Sequence, residues 1–511
     1  MSVTMRRALA ACLVAVAVVT GVLVSWTGAA NGSEQVTDSE SRALGARPES
    51  DARIARIENG LLPPVAVAGQ APPVMSITEQ MKRDKVPGMS VAFFENGEIV
   101  WARAYGYADV EKKTPVTADT LFQAASISKP VAALAAMHLV EQGALSLDED
   151  VNAKLKSWKV PDNEFTKTEK VTLRRLVTHS AGLTVHGFPG YAADETIPTV
   201  VQVLNGEKPA NTAPVRVDTE PGKIWRYSGG GFTIMQLLML DVTGKTFPAL
   251  MSELVLKPAG MTHSTYQQPL PADRKAFATM PYRGTGEPVK GGPHTYPEMA
   301  AAGLWTTPSD LGHLAMEVEK EYEGKSSRIL SQAMAKQYLT KQKDDWGLGV
   351  GVQGEGPTLQ FTHGGANEGY RCVFVDFPAL RQGAAIMTNS DSGSAIGSAI
   401  LRAMAREYGW PDYLVKEKTV VPVEPALLKS YAGEYSDEQI GKVLVTVKDG
   451  KLYLQADPLG NEPVELYPES PAHFFILTET VEFRFEAKKG KNADILVVIF
   501  GKQEFTTKRT K

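Results

Sequence analysis

Residues 121–145 read LFQAASISKPVAALAAMHLVEQGAL, and this stretch decides both the fold and the chemistry of the chain. The part that follows Pro130 is rich in Ala, Leu and Met, residues that favour a helix. Ser126 and Lys129 stand at its start and form the only Ser-x-x-Lys in the sequence. Residues i and i+3 share one face of a helix, so this spacing places a hydroxyl beside an amine.

A hydroxyl beside an amine is a candidate nucleophile and base. The hydroxyl of serine is a poor nucleophile until a neighbouring base takes its proton. Lysine can be that base if burial or a nearby cation lowers its pKa towards neutrality. The tetrapeptide also arises by chance on solvated helices, so its meaning depends on the rest of the chain.

Two further segments give the tetrapeptide its meaning: residues 225–231, WRYSGGG, and residues 361–367, FTHGGAN. In this order and at this separation, the three segments resemble the motifs of the serine β-lactamase and penicillin-binding-protein family. The resemblance is to the branch of class C β-lactamases, esterases and D-peptidases. That family carries Ser-x-x-Lys, then Tyr-x-Asn, then Lys-Thr-Gly or His-x-Gly. The resemblance extends from about Ser76 to about Tyr408.

The resemblance implies a role for each motif residue. Ser126 would attack a carbonyl and form an acyl-enzyme, and Lys129 would hold or accept its proton. Tyr227 would share the general acid and base work, with its pKa lowered by the neighbouring Lys129. The backbone N–H groups of Ser126 and Ala366 would form the oxyanion hole, in which one donor is typically worth about 3–4 kcal/mol.

The departures from the family pattern concern substrate recognition. Gly229 stands where the family usually has Asn, and His363 and Gly364 stand where it often has Lys and Thr. Gly364 and Gly365 let this strand approach a substrate closely. Histidine loses its charge near neutral pH, so we expect weak capture of a carboxylate that fades between about pH 6 and 8. Arg371 is the alternative source of a cation.

These features predict a serine hydrolase that cleaves an ester or amide of a small-molecule or peptide substrate. The lost recognition groups favour an esterase, or a D-aminopeptidase or amidase, over an efficient β-lactamase. The alternative is a penicillin-binding-like protein of the cell envelope that is not catalytic, or only slowly acylated, and acts as a sensor. The intact Ser126, Lys129 and Tyr227 favour the hydrolase.

Neither a cofactor nor a metal is expected. The histidines show no paired spacing typical of metal ligands. His179 lies in THSAGL, residues 178–183, which is similar to a structural segment of the family. Lys and Arg do not gather in long runs, so no nucleic-acid surface is expected. The oligomeric state stays open.

The first residues resemble an export signal. Arg6 and Arg7 precede an apolar run over residues 8–26, and small residues follow as far as Ala30. A basic start, an apolar centre and small residues at the end are typical of a secretory signal, here residues 1–30. The run is also long enough to cross a bilayer, so an uncleaved membrane anchor is the alternative. Either interpretation predicts an exported protein, periplasmic or extracellular.

The polar stretch after the signal predicts a linker over residues 31–75. A hydrolase domain is expected over residues 76–415, in which Asn96-Gly97 joins two apolar runs and indicates a β-hairpin. Strands at both ends of this domain with helices between them predict an α+β fold. Its antiparallel sheet would be flanked by helices and carry an inserted helical subdomain, as the family resemblance also implies.

A second domain is expected over residues 425–511. Pro422 and Pro425 mark its start, and Asp449-Gly450 lies between two β-rich runs and indicates another hairpin. Further β-rich runs follow, so this part predicts a small all-β barrel or sandwich. With 511 residues, the chain is long enough for two domains.

Overall fold

The computed structural model describes residues 48–456, 462–487, 491–501 and 503–511. The predicted export signal, residues 1–30, and the start of the predicted linker lie outside these residues. The described chain forms two compact units, Val86–Gly393 in one, and residues 48–85 with Ser394–Lys511 in the other. None of the helices in the described ranges is long and apolar enough to cross a membrane.

The helices of the described chain are, in order, α1 (Pro48–Glu58), α2 (Ile77–Arg83), α3 (Ser128–Glu141), α4 (Leu173–Val177), α5 (Val200–Asn205), α6 (Gly229–Thr243), α7 (Phe247–Met251), α8 (Lys257–Ala259), α9 (Met299–Ala302), α10 (Pro308–Glu323), α11 (Gln332–Tyr338), α12 (Gly393–Tyr408) and α13 (Pro425–Tyr431). The strands are β1 (Val65–Val67), β2 (Gly88–Glu95), β3 (Glu98–Asp109), β4 (Thr114–Pro115), β5 (Phe122–Gln123), β6 (Trp305–Thr306), β7 (Gly351–Gln353), β8 (Gln360–Asn367), β9 (Tyr370–Phe377), β10 (Gln382–Thr388), β11 (Lys416–Lys418), β12 (Gly433–Asp437), β13 (Gly441–Lys448), β14 (Lys451–Ala456), β15 (Val464–Pro468), β16 (His473–Phe475), β17 (Val481–Ala487), β18 (Ala493–Phe500) and β19 (Gln503–Arg509).

One sheet assembled from distant segments organises the first unit. Its order is β4-β3-β2-β10-β9-β8-β7, and every neighbouring pair is antiparallel. The predicted hairpin at Asn96-Gly97 is confirmed, with Glu95 opposite Glu98 across the turn. Both turn residues have positive φ, 53° and 84°, which this tight kind of turn requires. Seven helices, α3 to α9, fall between β5 and β6, so the predicted α+β fold with inserted helices is confirmed.

Helix α3 forms the centre of this unit. Its residues from Ser128 to Met137 are all buried, whichever side of the helix they occupy. A helix that is apolar on all sides must lie inside a protein, and its many alanines allow close packing there. Ser126 itself precedes α3, in a single 3-10 turn, Ala125–Ile127, rather than in the α-helix that the sequence predicts. Residues i and i+3 eclipse one another in such a turn, which still brings Ser126 to Lys129.

The C-terminal part of the second unit is a closed antiparallel barrel. Strands β12 to β19 pair in sequence order, and β12 also pairs with β19, which closes the barrel. Of the barrel and the sandwich that the sequence allows, the barrel is therefore confirmed. Alternate residues of its strands fill the interior, and the ring of Tyr431, in α13, stacks on Phe485 with centroids 4.4 Å apart.

Phe485→Ala should destabilise the barrel by about 3–5 kcal/mol, because it removes a buried ring and leaves a cavity. Phe485 is only 3% exposed and also contacts Tyr435 and Phe474. Phe505→Ala is the matched control, since that ring is only half-buried and should cost less. Urea unfolding followed by circular dichroism measures both losses. Equal losses for the two variants would contradict this account of the barrel core.

Candidate active site

The turn that carries Ser126 is held in an uncommon conformation. Ala125 has a φ of +50°, in the left-handed region that residues other than Gly rarely adopt. The hydroxyl of Ser128 secures the turn, since it donates to the oxygen of Ala125 at 2.6 Å and accepts from the backbone N–H of Leu304 at 3.0 Å. Such a conformation persists where the surrounding structure over-determines it. The half-buried Ser126 is therefore presented from a rigid turn.

Lys129 lies beside Ser126 as the spacing predicts. Its Nζ is 3.0 Å from Ser126 Oγ and donates to the backbone oxygen of Ala301, at the end of α9, at 2.8 Å. The side chain is 2% exposed, and burial lowers its pKa to about 7. Removal from water disfavours the charged ammonium. At neutral pH much of Lys129 is therefore a free amine, which can accept the proton of Ser126.

Tyr227 contacts both members of this pair. Its hydroxyl is hydrogen-bonded to the side chain of Ser126, and Lys129 Nζ lies 5.0 Å from the centre of its ring. Desolvation raises the pKa of Tyr227 above its ordinary value, and only the hydrogen bond to Ser126 opposes this. The expectation that Lys129 lowers this pKa is thus wrong, because the cost of burying a phenolate dominates. Tyr227 is therefore a neutral phenol that can donate a proton, and Lys129 is the neighbouring group that can accept one.

Strand β8 carries the third motif up to the nucleophile. It pairs with β9 along its length, but β7 lies opposite only Gln360 to Thr362. A Cβ added to Gly365 would lie 2.2 Å from the oxygen of Ala124, so only glycine allows this approach. The strand edge at Ala366 therefore comes next to the turn of Ser126. This placement is compatible with the predicted oxyanion hole, which stays a prediction.

His363 is buried, so little of its side chain is accessible to a substrate. It is 6% exposed, and its Nδ1 lies 2.6 Å from the oxygen of Gly364. A carbonyl oxygen only accepts, so Nδ1 carries the proton and Nε2 is bare. Within the described chain Nε2 is buried and has no hydrogen-bond partner. Its neighbour Gly364, in contrast, leaves open space, since an added Cβ would meet only the oxygen of Cys372, at 3.8 Å.

The charge state of His363 corrects the sequence-based expectation. Burial, reinforced by the nearby Lys129, lowers the pKa of His363 to about 3. The side chain is therefore neutral over the whole neutral range. The expectation that its positive charge fades between about pH 6 and 8 is wrong, because an unperturbed imidazole was assumed.

The guanidinium of Arg371, the alternative cation, already interacts with other groups of the protein. It faces Ala366 across the β8–β9 pair and is 9% exposed. Its guanidinium lies 3.1 Å from a carboxylate oxygen of Asp391 and donates to the backbone oxygens of Asn367 and Tyr370, both at 2.7 Å. These contacts do not support the hypothesis that Arg371 replaces the missing cation for a substrate.

The position of Gly229 is filled by another part of the chain. Gly229 begins α6, where the hydroxyl of Ser228 caps the helix by accepting from the N–H of Gly231. A Cβ added to Gly229 would lie 2.9 Å from Cε2 of Phe188 and 3.1 Å from the oxygen of His186. A phenyl ring thus occupies the space that the asparagine of the family needs. Sequence reasoning missed Phe188, because it lies in a loop without a motif.

Two tryptophans extend the apolar surroundings of the nucleophile. The rings of Trp225, Tyr227 and Trp346 form what we call the aromatic wall, with centroids 5.7 to 6.5 Å apart. Trp225 is 37% exposed at its outer end, and Trp346 is anchored by its Nε1, which donates to the oxygen of Val177 at 3.1 Å. Trp225 adjoins the tyrosine motif, whereas nothing in the sequence distinguishes Trp346. Within the described ranges, no group of His, Cys, Asp and Glu could hold a metal ion.

The chain is similar to known proteins over both of its domains. Residues 76–407 match the model of the β-lactamase family, and residues 417–508 match a domain of unknown function, DUF3471. Penicillin-binding protein 4* of Bacillus subtilis is 23% identical over 418 residues, which cover 76% of this chain and 88% of that protein. Protein flp of Staphylococcus aureus is 26% identical over 195 residues. That match spans 38% of this chain and only 37% of the length of Protein flp.

Solved structures show the same fold. The octameric penicillin-binding protein homologue from Pyrococcus abyssi superposes with a TM-score of 0.58 at 23% identity, over 84% of this chain and 98% of that one. A class C β-lactamase superposes with a TM-score of 0.51 at 21% identity, over 64% and 93% of the two chains. Because the family match covers more than half of the sequence, this chain belongs to the β-lactamase family and is a serine hydrolase related to the penicillin-binding proteins.

Proposed function

We propose that the protein is an exported esterase or amidase that acts on uncharged, apolar substrates through an acyl-enzyme at Ser126. One observation carries this proposal: neither His363 nor Arg371 offers a positive charge to a substrate. His363 is buried and neutral, and Arg371 is paired with Asp391. A carboxylate that enters such a site loses its hydration without gaining a partner. A β-lactam, which carries a carboxylate, is therefore a poor substrate.

The surroundings of the nucleophile favour an apolar group in its place. Within the aromatic wall, Trp225 and Trp346 border Tyr227, and Phe188 fills the space beside Gly229 where the family has an amide. Burial of an apolar acyl group against such rings contributes roughly 25 cal/mol per Å² of area removed from water. The same rings provide no polar partner that could replace the hydration that an anionic or strongly polar substrate loses on binding.

The charge states of the site define the flow of protons. The free amine of Lys129 accepts the proton of Ser126 as Oγ bonds to the substrate carbonyl. The phenol of Tyr227, beside Ser126, then protonates the leaving group as its bond to the carbonyl carbon breaks. Water then attacks the acyl-enzyme and gives a proton to the Tyr227 phenolate, and the Lys129 ammonium returns its proton to Ser126 Oγ as the bond to the acyl carbon breaks and the acid leaves. A serine is activated by its base only when the two groups are within hydrogen-bond distance of each other, as Ser126 Oγ and Lys129 Nζ are.

Ser126→Ala should abolish labelling by a fluorophosphonate probe and reduce ester turnover to background, because it removes the attacking oxygen alone. Mass spectrometry of the labelled wild type should place the adduct on the peptide that contains Ser126. Ser146→Ala is the matched control, since this exposed serine lies outside the site and its loss should change neither readout. An adduct of equal yield on the Ser126→Ala variant would remove the basis of the proposal.

Neutral esters should be hydrolysed at least 100-fold more efficiently than nitrocefin, as judged by kcat/KM, because the site lacks a cation for the carboxylate of nitrocefin. Trp225→Ala should raise KM for p-nitrophenyl hexanoate several-fold and change KM for p-nitrophenyl acetate much less, since we expect only the longer chain to reach Trp225, whose ring borders that of Tyr227, the residue that contacts Ser126. We would abandon the proposal if nitrocefin matched the best ester. Equal effects of Trp225→Ala on KM for the two esters would contradict a role of the aromatic wall in binding the acyl chain.

The efficiency towards a neutral ester should rise with pH, with its midpoint near the pKa of Lys129, about 7. The sign follows from the role of Lys129 as a base: the ammonium form is inactive, and raising the pH produces the amine. His363→Gln is the matched control and should leave the midpoint unchanged, because His363 is already neutral in this range. The measurement is kcat/KM from pH 5 to 9 for both proteins. A midpoint that disappears in His363→Gln would assign the titration to His363 instead.

A further inference from the structure

His179 lies against the tyrosine motif in an uncommon backbone conformation. It follows α4 and is 2% exposed, with a φ of +55°. Among residues other than Gly, the left-handed region is favoured mainly by Asn and Asp, with His less often found there. A strained residue beside a catalytic group points to a function for its placement. From the sequence, this segment is only similar to a structural segment of the family.

Three contacts join His179 to the segment around Tyr227. The N–H of Arg226 donates to the backbone oxygen of His179 at 2.7 Å. The N–H of Ser228 donates to Nδ1 of the same imidazole at 3.1 Å. The ring of His179 lies on the ring of Tyr227, with centroids 4.2 Å apart and planes 36° apart. One residue therefore holds the backbone on both sides of Tyr227 and one face of its ring.

The hydrogen bond from Ser228 defines the state of the imidazole. Nδ1 accepts the hydrogen bond from the N–H of Ser228, so it carries no proton, and the ring is in its neutral form with the proton on Nε2. Burial, with the nearby Lys129, His363 and His186, also lowers the pKa of His179 well below its ordinary value. The acceptor at Nδ1 is thus kept through the neutral pH range.

The rest of the surroundings leaves Tyr227 little freedom. Lys129 Nζ stands 5.0 Å from the centre of its ring. The rings of Phe232 and Trp346 pack on His179 at 5.3 Å and 5.0 Å, so the imidazole is itself fixed. A displacement of a catalytic group by about 1 Å can cost about 100-fold in rate. Loss of the His179 contacts would allow such a displacement.

We propose that His179 is a positioning residue that keeps the hydroxyl of Tyr227 within reach of Ser126 and of the leaving group. The inference rests on the acid role of Tyr227 in the proposed function. His179 acts through the backbone N–H groups of Arg226 and Ser228 and through its ring, and it does not touch the reacting atoms.

A dependence on the leaving group distinguishes this role from a purely structural one. A nitrophenolate leaves without a proton, whereas an alkoxide needs one from Tyr227. Misplacement of Tyr227 should therefore slow the hydrolysis of an alkyl ester far more than that of a p-nitrophenyl ester with the same acyl group. A general loss of structure would slow both reactions by the same factor.

The experiment compares two His179 variants with Tyr227→Phe. His179→Phe keeps a ring but removes the acceptor, which leaves the buried N–H of Ser228 unpaired. His179→Asn keeps an acceptor near the position of Nδ1, and asparagine tolerates the positive φ. We measure kcat and KM for ethyl butyrate and p-nitrophenyl butyrate, the melting temperature, and the rate of fluorophosphonate labelling.

His179→Phe should lower kcat/KM, which reports acylation and not the deacylation step common to both esters, about 100-fold for the ethyl ester and less than 10-fold for the p-nitrophenyl ester. The Tyr227→Phe variant should show the same pattern, and His179→Asn should recover most of the wild-type rate. His138→Phe, a histidine at the far end of α3 that contacts the oxygen of Ile329, is the matched control and should leave both rates unchanged.

Equal losses for the two esters in His179→Phe, or a failure of His179→Asn to recover the ethyl ester rate, would overturn the inference. His179→Ala is measured in parallel, so that the leaving-group comparison survives if the larger ring prevents folding. Fluorophosphonate labelling separates the two proposals, because its leaving fluoride needs no proton from Tyr227. Labelling that is absent from Ser126→Ala supports Ser126 as the nucleophile. If the His179 variants are still labelled, their slower hydrolysis of the ethyl ester bears on the role of His179 and not on that of Ser126.

Discussion

The site depends on the removal of Lys129 from water. Helix α3 is buried on all sides, and the amine of Lys129 finds only Ser126 Oγ and the oxygen of Ala301 as partners among the described residues. Desolvation that turns this lysine into a base also keeps Tyr227 protonated and His363 uncharged. One physical cause, desolvation, therefore leaves Tyr227 and His363 uncharged and much of Lys129 as the free amine at neutral pH, which is the basis of the roles proposed for them.

The sequence predicts well those features of the fold and the site that depend on residues close together in the chain. The Ser-x-x-Lys spacing brings its two side chains together even though the structure uses a 3-10 turn instead of the expected helix. Asn96-Gly97 encodes its hairpin through the positive φ that both residues adopt. The sequence does not distinguish a barrel from a sandwich. That distinction depends on the pairing of β12 with β19, about 70 residues apart, which no local pattern specifies.

What the sequence does not show is how far each polar group is buried. The titration expected for His363, and the lowered pKa expected for Tyr227, both assume partial contact with water, and tertiary packing removes it. Phe188 and Trp346 reach the site from segments without a motif, so their positions follow only from the fold. His179 does lie in a recognisable segment, but its hydrogen bond to Ser228 is visible only in three dimensions.

The contact between Gly229 and Phe188 also bears on how this enzyme could change its substrates over evolutionary time. A Cβ at Gly229 would stand 2.9 Å from the phenyl ring, so an asparagine there meets a steric clash before it can bind anything. A smaller residue at position 188 alone would lose the packing of this half-buried ring and provide no amide. Each change is unfavourable without the other, so their effects are strongly non-additive. Restoring the asparagine of the family pattern would therefore take two coupled substitutions, at positions 229 and 188, rather than one.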